Sequence, residues 1–205
     1  QDALDKVDRV YAQLVAQLTA PLAETAGTTG PADAGSIEVP GDWEGVQQAF
    51  LQRGWSDGLP IVPPTLERVE QFLRYTDRSP DEVIAVLPQA NLRATIWNIA
   101  ANGVMAGCKP QTMPLLVAMT EALEADQYNL NNIGSTWGVM PFLLVNGPLA
   151  KALNIEHGAQ LVNRGANPSL GRALALIIRN IAGYTHGPEG ADKGSIGLNF
   201  MIAIS

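Results

Sequence analysis

Leu4, Val7, Tyr11, Leu14 and Leu18 recur at alternating steps of three and four, and Asp2, Asp5, Lys6, Asp8 and Arg9 fall mostly between them. That spacing draws a narrow apolar stripe along one side of a helix, of the width used in coiled coils. Residues 1–24 are therefore expected to form a helical arm that packs either on its own domain or on a neighbouring subunit, giving a homo- or hetero-oligomer. The next stretch, AETAGTTGPADAGSIEVPGD, has no period and is rich in Gly, Pro, Ala and Thr. It predicts a linker or strap over 25–42.

From Trp43 the pattern becomes that of a folded domain, expected over 43–205. WEGVQQAFLQRGW reads as a helix, and Thr65 is placed to cap a second through LERVEQFLRYT. Further helical periods cover about 92–107, 112–125 and 168–182, and apolar runs at VIAVL, PFLLV and NFMIAI predict strands. Helices outnumber strands, so the expected class is α/β or α+β: a helix-rich single domain with a small sheet. The closing NFMIAIS is strand-like with no polar tail, and the domain is expected to continue past Ser205.

Length and composition narrow the function. The 205 residues can bury one sizeable core, and with only 16% charged residues the surface is lightly charged. A net charge of −7 and a pI near 4.7 exclude a general phosphate-backbone binder, which needs a basic face. No apolar run reaches the roughly 18 residues that cross a bilayer. QDALDKVDRV lacks the basic-then-apolar order of a signal peptide, although Gln1 is not an initiator and a leader could precede it. Cys108, the one cysteine, excludes an intrachain disulfide framework and a multi-thiolate zinc site. A soluble, cytoplasmic protein without nucleic-acid or membrane partners is the expectation.

The candidate chemistry starts at WSDGLPIVPPT, residues 55–65. Pro60, Pro63 and Pro64 hold the backbone extended, and Asp57-Gly58 makes a turn just upstream. A carboxylate ordered in advance suits a general base, a metal ligand or a substrate-orienting group, with Trp55 beside it as a substrate contact. The alternative is that Asp57 only bonds its own turn. At 100° per residue, Leu170, Leu174, Ile177, Ile178 and Ile181 cluster on one side of the last helix, and Arg172 and Arg179 stand two turns apart on the other. That pair could clamp a carboxylate or phosphate, or simply face solvent; Asn163, Arg164 and Asn167 lie before the helix's amino end, which also favours an anion. Asn129, Asn131 and Asn132 can shape turns or line a pocket. Asn146 follows the PFLLV strand, where ligands often bind.

Cys108 ends an apolar helix ahead of Lys109-Pro110. The helix end raises a thiol's pKa and the lysine lowers it, so the residue reads either as a nucleophile or as a small buried hydrophobe. His157 and His186 share no metal-ligand spacing, and no metal site is expected. GPEGADKGSIG lacks the phosphate-loop spacing, and neither GxGxxG nor GxSxG occurs in a suitable context, so no cofactor is specified.

Four ordered blocks, WSDGLPIVPPT, ANGVMAGCKPQTMP, VNGPLAKALNI and NPSLGRALALIIRN, resemble a bacterial family associated with UGSC-type (seleno)proteins as neighbouring or fused modules, over roughly residues 43–204. The resemblance implies thiol- or selenol-assisted chemistry on a small molecule by a multi-part enzyme. This chain has no UGSC sequence, so a partner chain would carry it. The functional expectation is an enzyme subunit, of oxidoreductase or lyase type, acting on a small anionic or amide-bearing molecule. Its rival is a noncatalytic binding or scaffold subunit.

Overall fold

Three side-chain caps open the helices around the WSDGLP loop. Asp42 accepts from the Gly45 amide at 2.7 Å and starts α1, Trp43–Gln52. Thr65 accepts from the Arg68 amide at 3.4 Å and starts α2, Leu66–Leu73. Thr95 and Asn98 form a reciprocal capping box, each side chain accepting from the other's amide, at the start of α3, Ile96–Met105. Each cap satisfies amides that the first helical turn leaves open.

The computed structural model describes residue 39 and residues 41–88, 90–130, 141–156 and 164–184, with the backbone of Ile202–Ala203. The chain separates into two units, Gln1–Ser36 and Ile37–Ser205, and all described residues belong to the second. The expected arm over 1–24, and most of the strap that follows, lie outside the described residues.

The Ile37–Ser205 unit is a helix-rich α+β domain with a small antiparallel sheet. β1, Val83–Leu87, coincides with the VIAVL run. It pairs with β2, Leu92–Thr95, in the register Leu87 to Leu92, Val86 to Arg93 and Ala85 to Ala94, with a bulge between Val83 and Ala85. β2 corrects the expected helix over 92–107. Asn91, with φ at 52°, turns the chain back, LRAT completes the hairpin, and helix begins only where Thr95 can cap it. α4, Met113–Glu124, follows a short 3-10 turn at Pro110–Thr112. Beyond it lie β3, Leu143–Leu144, the unanticipated short helix α5, Pro148–Ala152, and α6, Asn167–Asn180. β3 runs parallel to β4, Ile202–Ala203.

The core sits where α3, α4 and α6 pack on one another. α6 is buried almost all round: Leu170, Ala173, Leu174, Leu176, Ile177 and Ile178 are all in the core. α3 approaches its neighbours closely at Gly103, where an added Cβ would stand 2.5 Å from Leu116 Cδ1 and 3.0 Å from Phe72 Cε1. Both neighbours are buried, so neither can swing away. Gly103→Ala is expected to destabilise by about 1–3 kcal/mol through overpacking, against a helix-propensity gain of about 1 kcal/mol. A urea midpoint equal to or above that of the parent would contradict this packing.

Candidate functional site

The WSDGLP loop is first shaped by its own side chains. Asp57 Oδ1 accepts from the Leu59 amide at 3.0 Å. Ser56 Oγ accepts from the Gly58 amide at 3.1 Å and donates to the Leu59 carbonyl at 3.2 Å. Gly58 takes φ of 93°, which its missing Cβ permits. Downstream, buried Ile61 is held on both backbone groups by Gln47: its amide donates to Gln47 Oε1 at 2.8 Å and its carbonyl accepts from Nε2 at 3.0 Å. The Val62 amide donates to the Met105 carbonyl, tying the proline segment to the end of α3. Removing the Gln47 amide leaves two part-buried backbone groups without partners. Gln47→Leu should cost about 2 kcal/mol and speed hydrogen exchange at the Ile61 amide. Unchanged protection at Ile61 would show that Gln47 does not hold the loop.

α6 then clasps the loop from the other side. Arg172 meets Asp57 fork to fork, Nε to Oδ2 at 2.8 Å and Nη2 to Oδ1 at 2.9 Å. The same guanidinium donates from Nη1 to the Pro60 carbonyl at 2.9 Å and from Nη2 to the Leu59 carbonyl at 3.1 Å. Two turns on, about 10.5 Å along the axis, Arg179 Nε donates to the Gly54 carbonyl at 3.2 Å. Asn180 Nδ2 donates to the Trp55 carbonyl at 3.1 Å and to Asn102 Oδ1 at 2.7 Å. Loop and helix thus run antiparallel. The face of α6 that points away from the core carries both arginines, as the helical spacing predicts, but the loop covers it.

This arrangement changes the roles of the expected site residues. The Asp57 side chain is only 2% exposed, and both of its oxygens are taken, so the carboxylate orients the loop rather than standing free as a base. Four Arg172 donations go to the loop, which leaves it without an open fork for an external anion; the expected Arg172–Arg179 clamp does not form. Arg179 is different, because among the described residues it bonds through Nε alone. Trp55, the residue after Gly54, is 40% exposed, with its ring edge-on to Phe50 at 5.5 Å between centroids and the Arg53 guanidinium carbon 5.6 Å from its centroid. Among the described residues no carboxylate pairs with Arg53 or Arg179.

Cys108 packs against α6 one turn before Arg172, where its thiol donates to the Ser169 carbonyl at 3.2 Å. Burial pushes the thiol pKa up to about 12, outweighing the hydrogen bonds that lower it. It is a neutral thiol at physiological pH, which argues against a thiolate nucleophile. Asn167 is buried and holds the Glu156 backbone, accepting from its amide at 2.9 Å and donating to its carbonyl at 3.1 Å, so it braces the start of α6 instead of lining the loop. Arg164 and Asn146 are exposed, Asn146 just ahead of α5. Asn131, Asn132, Asn163, His157 and His186 lie outside the described residues.

Sequence reasoning missed Gln47, Asn102 and Asn180. Asn102 had a readable signal, a lone amide in the apolar run IAANGVM, and in the fold it bridges the Asn98 carbonyl and Asn180. Asn180 Oδ1 is buried and meets no donor, a local cost of about 1–3 kcal/mol that the Trp55 and Asn102 bonds must outweigh.

Among the described residues no helix is long and apolar enough to cross a membrane, and no three His, Cys, Asp or Glu side chains group to hold a metal ion. No family model, curated protein or solved structure matches the chain.

Proposed function

We propose that this chain is the small-molecule-binding subunit of an enzyme, and that its ligand is an anion taken at the loop clasped by α6. The observation that carries this reading is the division of labour between the arginines. Arg172 is neutralised by Asp57 and fixes the loop, while among the described residues neither Arg179, tethered to the residue before Trp55, nor Arg53, over the part-exposed Trp55 ring, has a carboxylate partner. Such an arrangement is preorganised, which lowers the entropy cost of binding. Asp57 acts by orienting, and the buried thiol stays out of the chemistry. A redox thiol or selenol would come from a partner chain, in keeping with the UGSC-type resemblance. A noncatalytic binding subunit is the second reading, favoured by the occupied carboxylate and the neutral Cys108.

Native mass spectrometry of protein purified from its source tests both. A heteromer carrying a small acidic molecule supports the enzyme subunit, with turnover in the reconstituted complex falling in Arg179→Gln. A complex that binds the acid but turns nothing over supports the second reading. A chain with neither partner nor ligand, and with no affinity for small anions, overturns both.

A further inference from the structure

Resting on that reading, we infer that the ligand is a carboxylate carried on a flat, apolar body, gripped end-on by Arg179 and stacked against Trp55, with Arg53 as the second cation. Arg179 is tethered through Nε to the Gly54 carbonyl, and among the described residues its Nη1/Nη2 edge meets no acceptor and is left for a ligand. That edge presents two parallel N–H donors, a geometry that matches the two oxygens of a carboxylate. The tether also anchors the fork to the residue before Trp55.

The indole is held as well. Phe50 is buried and meets the ring edge-on, Asn180 binds the Trp55 carbonyl, and Arg53 stands over the ring, yet 40% of the residue is open to solvent. A packed, part-exposed indole with a guanidinium over its ring and the Arg179 fork anchored one residue away favours a ligand with a planar π face over a compact anion, because stacking adds to the ion pair only for the former. Arg53 donates from Nη1 to the Ala49 carbonyl and keeps its other donors for the same ligand. A phosphate could meet the same fork, and the choice of probes separates the two.

The full chain is labelled with nitrogen-15 and its indole N–H signals are followed at constant ionic strength during titration with benzoate, acetate and inorganic phosphate. The Trp55 signal is assigned with Trp55→Phe. Benzoate should shift it saturably with a Kd on the order of 1 mM, the range open to so small a ligand, and acetate should bind about tenfold more weakly. Arg179→Gln should weaken benzoate binding about tenfold, and Arg179→Lys, which keeps the charge without the fork, should also fall short of the parent. Spectral dispersion equal to the parent's confirms that each variant is folded. If acetate or phosphate binds at this site as tightly as benzoate, the flat-body inference is overturned and the anion site stands. If no anion shifts Trp55, or if benzoate binds Arg179→Gln and Arg179→Lys as well as the parent, both the inference and the proposed site are overturned.

Discussion

Arg172→Met should lower stability by about 3 kcal/mol or more, the loss typical of removing one partner from a buried ion pair. The Asp57 side chain is 2% exposed and that of Arg172 17%, so the pair is screened far less than a surface bridge. Methionine fills much of the arginine stem's volume but removes the guanidinium donors from the Asp57 carboxylate and from the Leu59 and Pro60 carbonyls, leaving the buried carboxylate with the Leu59 amide and no countercharge. Asp57→Asn in the same background should recover part of the loss, because it removes the stranded charge. The coupling in a double-mutant cycle is expected to be about 2 kcal/mol. Urea midpoints of the four proteins measure it. Additive losses, or an Arg172→Met loss under about 1 kcal/mol, would mean that the loop does not depend on this pair.

The second large effect belongs to Cys108 at alkaline pH. Its thiol titrates near 12 when folded against 9.0 for an unperturbed thiol, chiefly because burial disfavours the thiolate. Since the folded pKa is the higher one, the unfolded chain releases this proton first as pH rises. Stability from this source is therefore intact below about 9 and declines through the window from 9 to 12, by up to about 4 kcal/mol at 1.36 kcal/mol per unit. Lysines and tyrosines also titrate there, so the readout is the difference between the parent and Cys108→Ala: the two curves should converge as pH climbs. In the native protein at pH 8 the thiol should react with a disulfide reagent only as fast as the structure opens. Labelling within seconds, with parallel stability curves, would restore Cys108 as a reactive thiol.

Much of the domain was legible along the chain because its signals are local. Thr65 caps the helix it was expected to cap, and VIAVL is β1 residue for residue. The apolar set of α6 and its C-cap, Leu170, Leu174, Ile177, Ile178 and Ile181, is buried as its spacing requires. The misreading of LRAT came from a competing tertiary choice. The residues continue a helical period, but pairing with β1 satisfies their backbone groups, and the capping box at Thr95 and Asn98 holds the boundary. α5 escaped because a helix of five residues offers too short a period to detect.

The site divides the same way. The turn chemistry of Asp57-Gly58, the stiffness conferred by Pro60, Pro63 and Pro64, and the two-turn alignment of Arg172 with Arg179 are properties of short stretches, readable without the fold. Which arginine would be neutralised was not written in either stretch. It depends on a contact between residues 115 positions apart, and on the burial that makes Asp57 more valuable as a partner for Arg172 than as a free base. Cys108 shows the same limit: its neighbours in sequence left its reactivity balanced, and only burial in the tertiary core, by removing water from the sulfur and outweighing the hydrogen bond to Ser169, made it a neutral thiol.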